Sequence, residues 1–240
     1  MAERPILVVD FDGTVYRSDA PVRYYAHRIA EALPDPAART FLDVFERYLV
    51  DGAAAAGHYP DTELAEVLGG AEDAWYAAQR LAWDVYGVAR GTTQQAFLAT
   101  RAALVDEGFE LAPVPALVDL LAELAGDVRV VLATNSPAEG LTPLLDRLGV
   151  ARLFDEVVPG AGKPAGLRRW MAAALAGGPA SGLFSLGDHY RNEIEPAMAI
   201  GASAGYIDRF GRADGPATAT AARVEDLLPA IRAWAAAAAR

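Results

Sequence analysis

The stretch ILVVDFDGTVYRSD, Ile6 to Asp19, constrains this chain more than any other. Four apolar residues run straight into Asp10 and Asp12, with only Phe11 between them and Gly13 and Thr14 directly after. Such a run reads as a strand buried on both faces, as in the interior of a parallel sheet. Two carboxylates at the tip of a buried strand repel each other. A metal ion, a cationic side chain or a shared proton must stabilise that charge.

The rest of the chain says what kind of sheet this is. Val128–Ser136 (VRVVLATNS), Leu153–Val158, Gly182–Asp188 and Ala204–Phe210 read as further short strands, with helical patterns such as VPALVDLLAELAG between them. Five strands alternating with helices imply an α/β fold with a parallel sheet of about five strands. In such sheets ligands bind beyond the carboxyl ends of the strands. Asp10, Thr134 and Asp188 stand at three of those ends and are placed to meet.

Residues 18–110 have a different pattern, with apolar spacing that is helical throughout. Phe41, Val44, Phe45 and Tyr48 make one stripe, flanked by Leu42 and Leu49. Pro34 and Pro36 precede this helix, and Asp61, Gly69-Gly70 and Gly91 punctuate others. The last helix, TTQQAFLATRAALVDEG, is expected to take Thr92 or Thr93 as its N-cap. The expected organisation is a sheet domain over 1–17 and 111–240, interrupted by a helical domain over 18–110. Leu111–Ala116 is the return hinge, and the alanine-rich end packs as a helix on the sheet.

Composition excludes several classes of function. The formal net charge is -11, which disfavours nucleic acid and acidic membrane surfaces as partners. There are no cysteines, so thiolate catalysis, disulfides and cysteine-ligated metals are excluded. No apolar run approaches the roughly 20 residues of a membrane helix. With a strand already under way at Ile6 no signal peptide is expected, and the expected location is cytoplasmic. A chain that is 53% hydrophobic fits a homodimer as readily as a monomer.

The candidate chemistry is carried by four strand-end segments. Asp10 and Asp12 lie in DFDGTV, Thr134 and Asn135 in ATNS, Lys163 in the glycine-rich GAGKPAG, and Asp188 and Glu193 in GDHYRNEIEPA. Carboxylates with a lysine and a hydroxyl suit a Mg²⁺ ion and a phosphoryl group, whose oxygens need cations and hydrogen-bond donors around them. Taken singly, each residue has a plainer reading. Asp-Gly makes tight turns, Thr134 suits a helix N-cap, Lys163 a solvated loop, and Glu193 a helix N-terminus. Their joint occurrence at successive strand ends favours the chemical reading.

In their order these four segments resemble the signature motifs of the haloacid dehalogenase-like (HAD) superfamily. The position of the helical insertion resembles the subclass with an α-helical cap between the first and second motifs. The resemblance implies a Rossmann-like core and a phosphohydrolase using Mg²⁺ on a small phosphorylated substrate. It implies Asp10 as nucleophile, Asp12 as general acid/base, Thr134 as the hydroxyl holding a phosphoryl oxygen, and Lys163 as the neutralising cation. It also implies metal binding by Asp10, Asp12 (through its carbonyl) and Asp188, with Glu193 beside the metal where the family more often has aspartate. Gly13, Thr14 and Asn135 are expected to contact substrate.

Two alternatives use the same fold: a phosphomutase of the β-phosphoglucomutase type and a non-enzymatic phospholigand binder. The pair of acids argues against the second, and Asp12 argues against a haloacid dehalogenase. His27 is expected on a helix surface, His58 in a loop of the helical domain, and His189 near the site. Trp75, Tyr76, Trp83 and Tyr86 are expected in the helical core, and Arg80, Arg90 and Arg101 are candidates for gripping an anion.

Overall fold

The computed structural model describes residues 4–105 and 109–238, so the expected helix end at 106–108 lies outside the described residues. The chain divides into two units. The first comprises Met1–Arg17, Leu111–Arg209 and Ala213–Arg240, and the second comprises Ser18–Glu110 with Phe210–Arg212.

The first unit is built on a six-stranded parallel sheet. Its strands are β1 (Ile6–Val9), β2 (Arg129–Ala133), β3 (Glu156–Val158), β4 (Leu183–Gly187), β5 (Ser203–Ile207) and β6 (Ala219–Ala221). Their order is β3-β2-β1-β4-β5-β6, with every neighbouring pair parallel. The central strands β1 and β4 are buried along their whole length, which explains their unbroken apolar runs. The edge strands β3 and β6 are only half-buried. β6 is a sixth strand beyond the five expected. Its three residues, Ala-Thr-Ala, carry little strand signal and are held by pairing with Gly205–Ile207.

β1 lies between β2 on one side and β4 on the other, so the strand order reverses at β1. The crevice beyond the carboxyl end of the strand at such a reversal is where open α/β sheets bind ligands. Register places the site residues there. Val9 is level with Leu132 on β2 and Leu186 on β4, so Asp10, Thr134 and Asp188 emerge at adjacent tips. The ladder continues one step beyond, with Asp10 N donating to Leu186 O at 2.9 Å and Thr134 N to Val158 O at 3.0 Å.

In the helical unit the α-helices are α1 (Ala20–Ala30), α2 (Asp35–Asp51), α3 (Glu63–Gly70), α4 (Ala74–Arg80) and α5 (Arg90–Val105). The stripe Phe41, Val44, Phe45, Tyr48 and Leu49 of α2 is buried, as its spacing requires. Asp73 caps α4 by accepting from Tyr76 N at 2.6 Å. Two local expectations fail at α5. The helix starts at Arg90, so Gly91 lies inside it and neither Thr92 nor Thr93 caps it. Thr93 is buried and its hydroxyl donates back to Arg90 O at 2.9 Å while accepting from Trp83 Nε1 at 3.0 Å. Trp75 packs against Tyr25 and Phe97, and Tyr86 against Phe41, so these rings serve the core. Residues 210–212 belong to this unit through the packing of Phe210 on Tyr48, with ring centroids 5.0 Å apart, and the bond from Ala53 N to Phe210 O.

Back in the sheet unit, α6 (Pro115–Leu124), α7 (Leu141–Arg147), α8 (Ala165–Ala174), α9 (Glu195–Ala199) and α10 (Leu228–Ala238) complete the chain. The C-terminal helix α10 packs on the sheet through Ile231 and through Trp234 against Phe184 of β4. Among the described residues no helix is long and apolar enough to cross a membrane.

Candidate active site

Asp10 follows the last residue of β1 and is 8% exposed. Its Oδ1 accepts from Lys163 Nζ at 2.6 Å, and its Oδ2 accepts from the Thr14 hydroxyl at 3.3 Å. The lysine side chain is 2% exposed and also donates to Glu193 Oε1 at 2.9 Å. The other oxygen of Glu193 accepts from His189 N at 2.9 Å. Two buried carboxylates therefore share one buried ammonium at the sheet tip.

The electrostatics follow from that count. Burial pushes the Asp10 carboxyl up to about 6; Lys163 opposes this, and the charge of Glu193 adds to it. Burial alone would lower the Lys163 ammonium, but the charges of Asp10 and Glu193 hold it above its ordinary value. The lysine is thus locked in its charged form. It is suited to neutralise anionic oxygens and unsuited to act as a base.

The loop holding Lys163 is tied to the end of β2. Lys163 N donates to Asn135 Oδ1 at 2.8 Å, Ala161 N to Thr134 O at 2.9 Å, and Gly160 N to Ser136 O at 2.8 Å. Asn135, expected to contact substrate, is thus also a brace for the lysine loop. The Thr134 hydroxyl accepts from Ser136 N at 3.0 Å.

Asp12 lies in a different environment from Asp10, although the two leave the same strand. Its Oδ1 accepts from the Tyr16 hydroxyl and its Oδ2 from the Ser136 hydroxyl at 3.1 Å. Neither donor is evident from the sequence. Ser136 ends the quoted ATNS and Tyr16 stands four residues after Asp12, but nothing local says that either side chain turns towards it.

Gly13 has φ +84°, and a Cβ there would stand 2.0 Å from Asp188 Oδ2. The glycine is therefore needed twice, for a left-handed turn and for the close approach of the Asp188 carboxylate to the backbone. Gly187 likewise permits a close approach, since a Cβ there would lie 2.5 Å from Glu193 Cγ.

Among the described residues no three acidic or histidine side chains are grouped as a ready metal cage. The donor set is nonetheless the right kind for Mg²⁺, which takes few carboxylates and keeps waters. Asp10, the Asp12 carbonyl and Asp188 offer hard oxygens at neighbouring strand tips, and Gly13 leaves room for one of them. Glu193, expected beside the metal, has both oxygens engaged by Lys163 and His189 N. Here it serves as a partner of the lysine.

His27 is exposed on α1, His58 pairs with Asp51 at 3.1 Å, and His189 Nδ1 accepts from Asn192 N at 3.3 Å. Arg80 pairs with Asp84, Arg90 lies over the Trp83 ring at 4.3 Å, and Arg101 is buried.

The model of the haloacid dehalogenase-like hydrolases matches residues 5–179, nearly three-quarters of the sequence. The chain belongs to this family. Solved structures agree on the fold of this HAD-like hydrolase. A haloacid dehalogenase-like family hydrolase from Xanthomonas campestris shares 20% identity at a TM-score of 0.57, over 99% of this chain and 95% of that one. YfnB of Bacillus subtilis, assigned as a HAD-hydrolase and solved bound to magnesium, shares 16% at 0.60, over 95% and 99%. A protein assigned as the phosphoglycolate phosphatase of Lactobacillus delbrueckii subsp. bulgaricus shares 17% at 0.60, over 95% and 98%. A comparison with curated proteins gave no match.

Proposed function

We propose that this HAD-like hydrolase cleaves a small-molecule phosphomonoester through an aspartyl-phosphate on Asp10. The observation that carries this reading is the contrast between the two acids at the tip of β1. Asp10 is paired with a buried ammonium, whereas Asp12 is held by hydroxyls. Paired carboxylates in unlike surroundings take unlike roles.

An Asp10 oxygen attacks phosphorus, the bond to the leaving oxygen breaks, and Asp12 gives that oxygen a proton. Asp12 then takes a proton from water as the water oxygen attacks phosphorus. The bond to Asp10 breaks, releasing inorganic phosphate and restoring both side chains. Lys163 offsets the charge of the nucleophile and of the phosphoryl oxygens throughout. Mg²⁺, when held by Asp10, the Asp12 carbonyl and Asp188, would supply further neutralisation of the phosphoryl group.

The test is phosphate release from a panel of sugar, nucleoside and aryl phosphates. Wild type should release phosphate with Mg²⁺ and stop with EDTA, and Asp10→Asn should be inactive yet folded, because an amide is a poor nucleophile. Near wild-type turnover by Asp10→Asn would falsify the assignment.

A further inference from the structure

Both oxygens of Asp12 are held by hydroxyls from different parts of the sheet unit: Tyr16 at Oδ1 and Ser136 at Oδ2. Each donor is itself anchored. Tyr16 is 2% exposed, and its ring meets Phe11 edge-on with centroids 5.2 Å apart. Its backbone bridges to Asp12 and, antiparallel, to Pro113, while Val114 N donates to Val15 O at 2.9 Å. Ser136 is tied through its N–H to Thr134 Oγ1 and through its carbonyl to Gly160 N. A carboxylate turns about its last torsion unless both oxygens have partners, and it moves a proton only within about 2.6–3.2 Å of the reacting atom. Phenylalanine would fill the space of the Tyr16 ring equally well, so the hydroxyl is what needs explaining. A buried phenol normally has a polar partner, and here it has Asp12.

We infer that Tyr16 is a positioning residue for the proton transfers of Asp12, with Ser136 as its counterpart on the second oxygen. This rests on the phosphomonoesterase reading above. It adds a specific consequence, a dependence on the leaving group. An alkoxide must be protonated as it departs, whereas p-nitrophenolate departs without a proton. The ratio kcat/KM covers only the steps up to loss of the leaving group, so later hydrolysis of the aspartyl-phosphate does not enter it.

The experiment measures kcat/KM of wild type, Tyr16→Phe, Ser136→Ala and, as reference, Asp12→Asn on an alkyl phosphate and on p-nitrophenyl phosphate. General acid–base catalysis commonly contributes ~10²–10⁴-fold, and misplacing the acid should forfeit part of it. Each variant should lower the alkyl-to-aryl ratio of kcat/KM by about tenfold or more, towards the ratio measured for Asp12→Asn. An equal loss on both substrates would mark a merely structural role, and unchanged kcat/KM on both would show that the hydroxyls hold nothing. Either result overturns the inference while leaving the hydrolase reading intact. If Tyr16→Phe does not fold, Ser136→Ala decides by the same ratio. A wild type inactive on both phosphates would overturn the hydrolase reading and this role with it.

Discussion

Replacing Glu193 by glutamine separates two jobs that a second acid at this site can do. In the structure its carboxylate accepts from Lys163 Nζ at 2.9 Å and from His189 N at 2.9 Å, one bond on each oxygen. Glutamine keeps the length but has one acceptor oxygen, so either the ammonium or the His189 N–H must face an amide NH₂. The side chains of Lys163 and Glu193 are 2% and 4% exposed, so solvent cannot take over the lost bond. A hydrogen bond to a charged group is worth about 1.5–3 kcal/mol. Relief of the repulsion between Asp10 and Glu193 offsets part of this, which places the net loss near ~2 kcal/mol. For a domain of this size that lowers Tm by about 4–8 °C. The assay is thermal unfolding in EDTA, so that no metal contributes, followed by Mg²⁺ titration of activity. Glu193→Asp keeps the charge but is too short to span both donors, and should lose stability as well. Wild-type stability of Glu193→Gln in EDTA, together with a raised Mg²⁺ requirement, would refute the reasoning and return Glu193 to the metal.

Two further outcomes test the sheet unit. Ser185 of β4 is 0% exposed and its Oγ has no hydrogen-bond partner, so Ser185→Ala should stabilise by about 1 kcal/mol and raise Tm by about 2–4 °C; a lower Tm by calorimetry would show that the hydroxyl is satisfied internally. Burial alone would raise the Glu225 carboxyl, but bonds from Arg223 and Arg17 and a backbone N–H hold it down to about 2, below its ordinary 4.5. Its contribution should be complete above about pH 4.5 and fade as the pH falls towards 2, so urea unfolding of Glu225→Gln should show a flatter acid-side decline than wild type.

How much could be read beforehand differs from element to element. The run Ile6–Val9 identifies itself as a central parallel strand because burial on both faces demands apolar residues at every position. The stripe of α2 is equally plain, because packing one helical face imposes its own period. The start of α5 was not plain. Thr92 and Thr93 have good capping chemistry, yet Thr93 is used in the core through Trp83, which overrides its local preference. The β6 strand was invisible because its stability comes from its neighbour.

By itself the sequence determined which chemistry-bearing residues stand at strand ends, since apolar runs and the polar residues that end them are local facts. Which of those residues touch was decided only by the tertiary structure. Lys163 reaches Asp10 across 153 positions and Ser136 reaches Asp12 across 124, and both contacts exist because sheet register brings the tips of separate strands level. The meeting of the strand tips also set Glu193 against the lysine, whereas a turn after β1, with Val15 N donating to Phe11 O at 3.0 Å, brought Tyr16 back onto Asp12. Hydrogen bonds are directional and act over about 3 Å, whereas sequence patterns specify only which face of an element is buried.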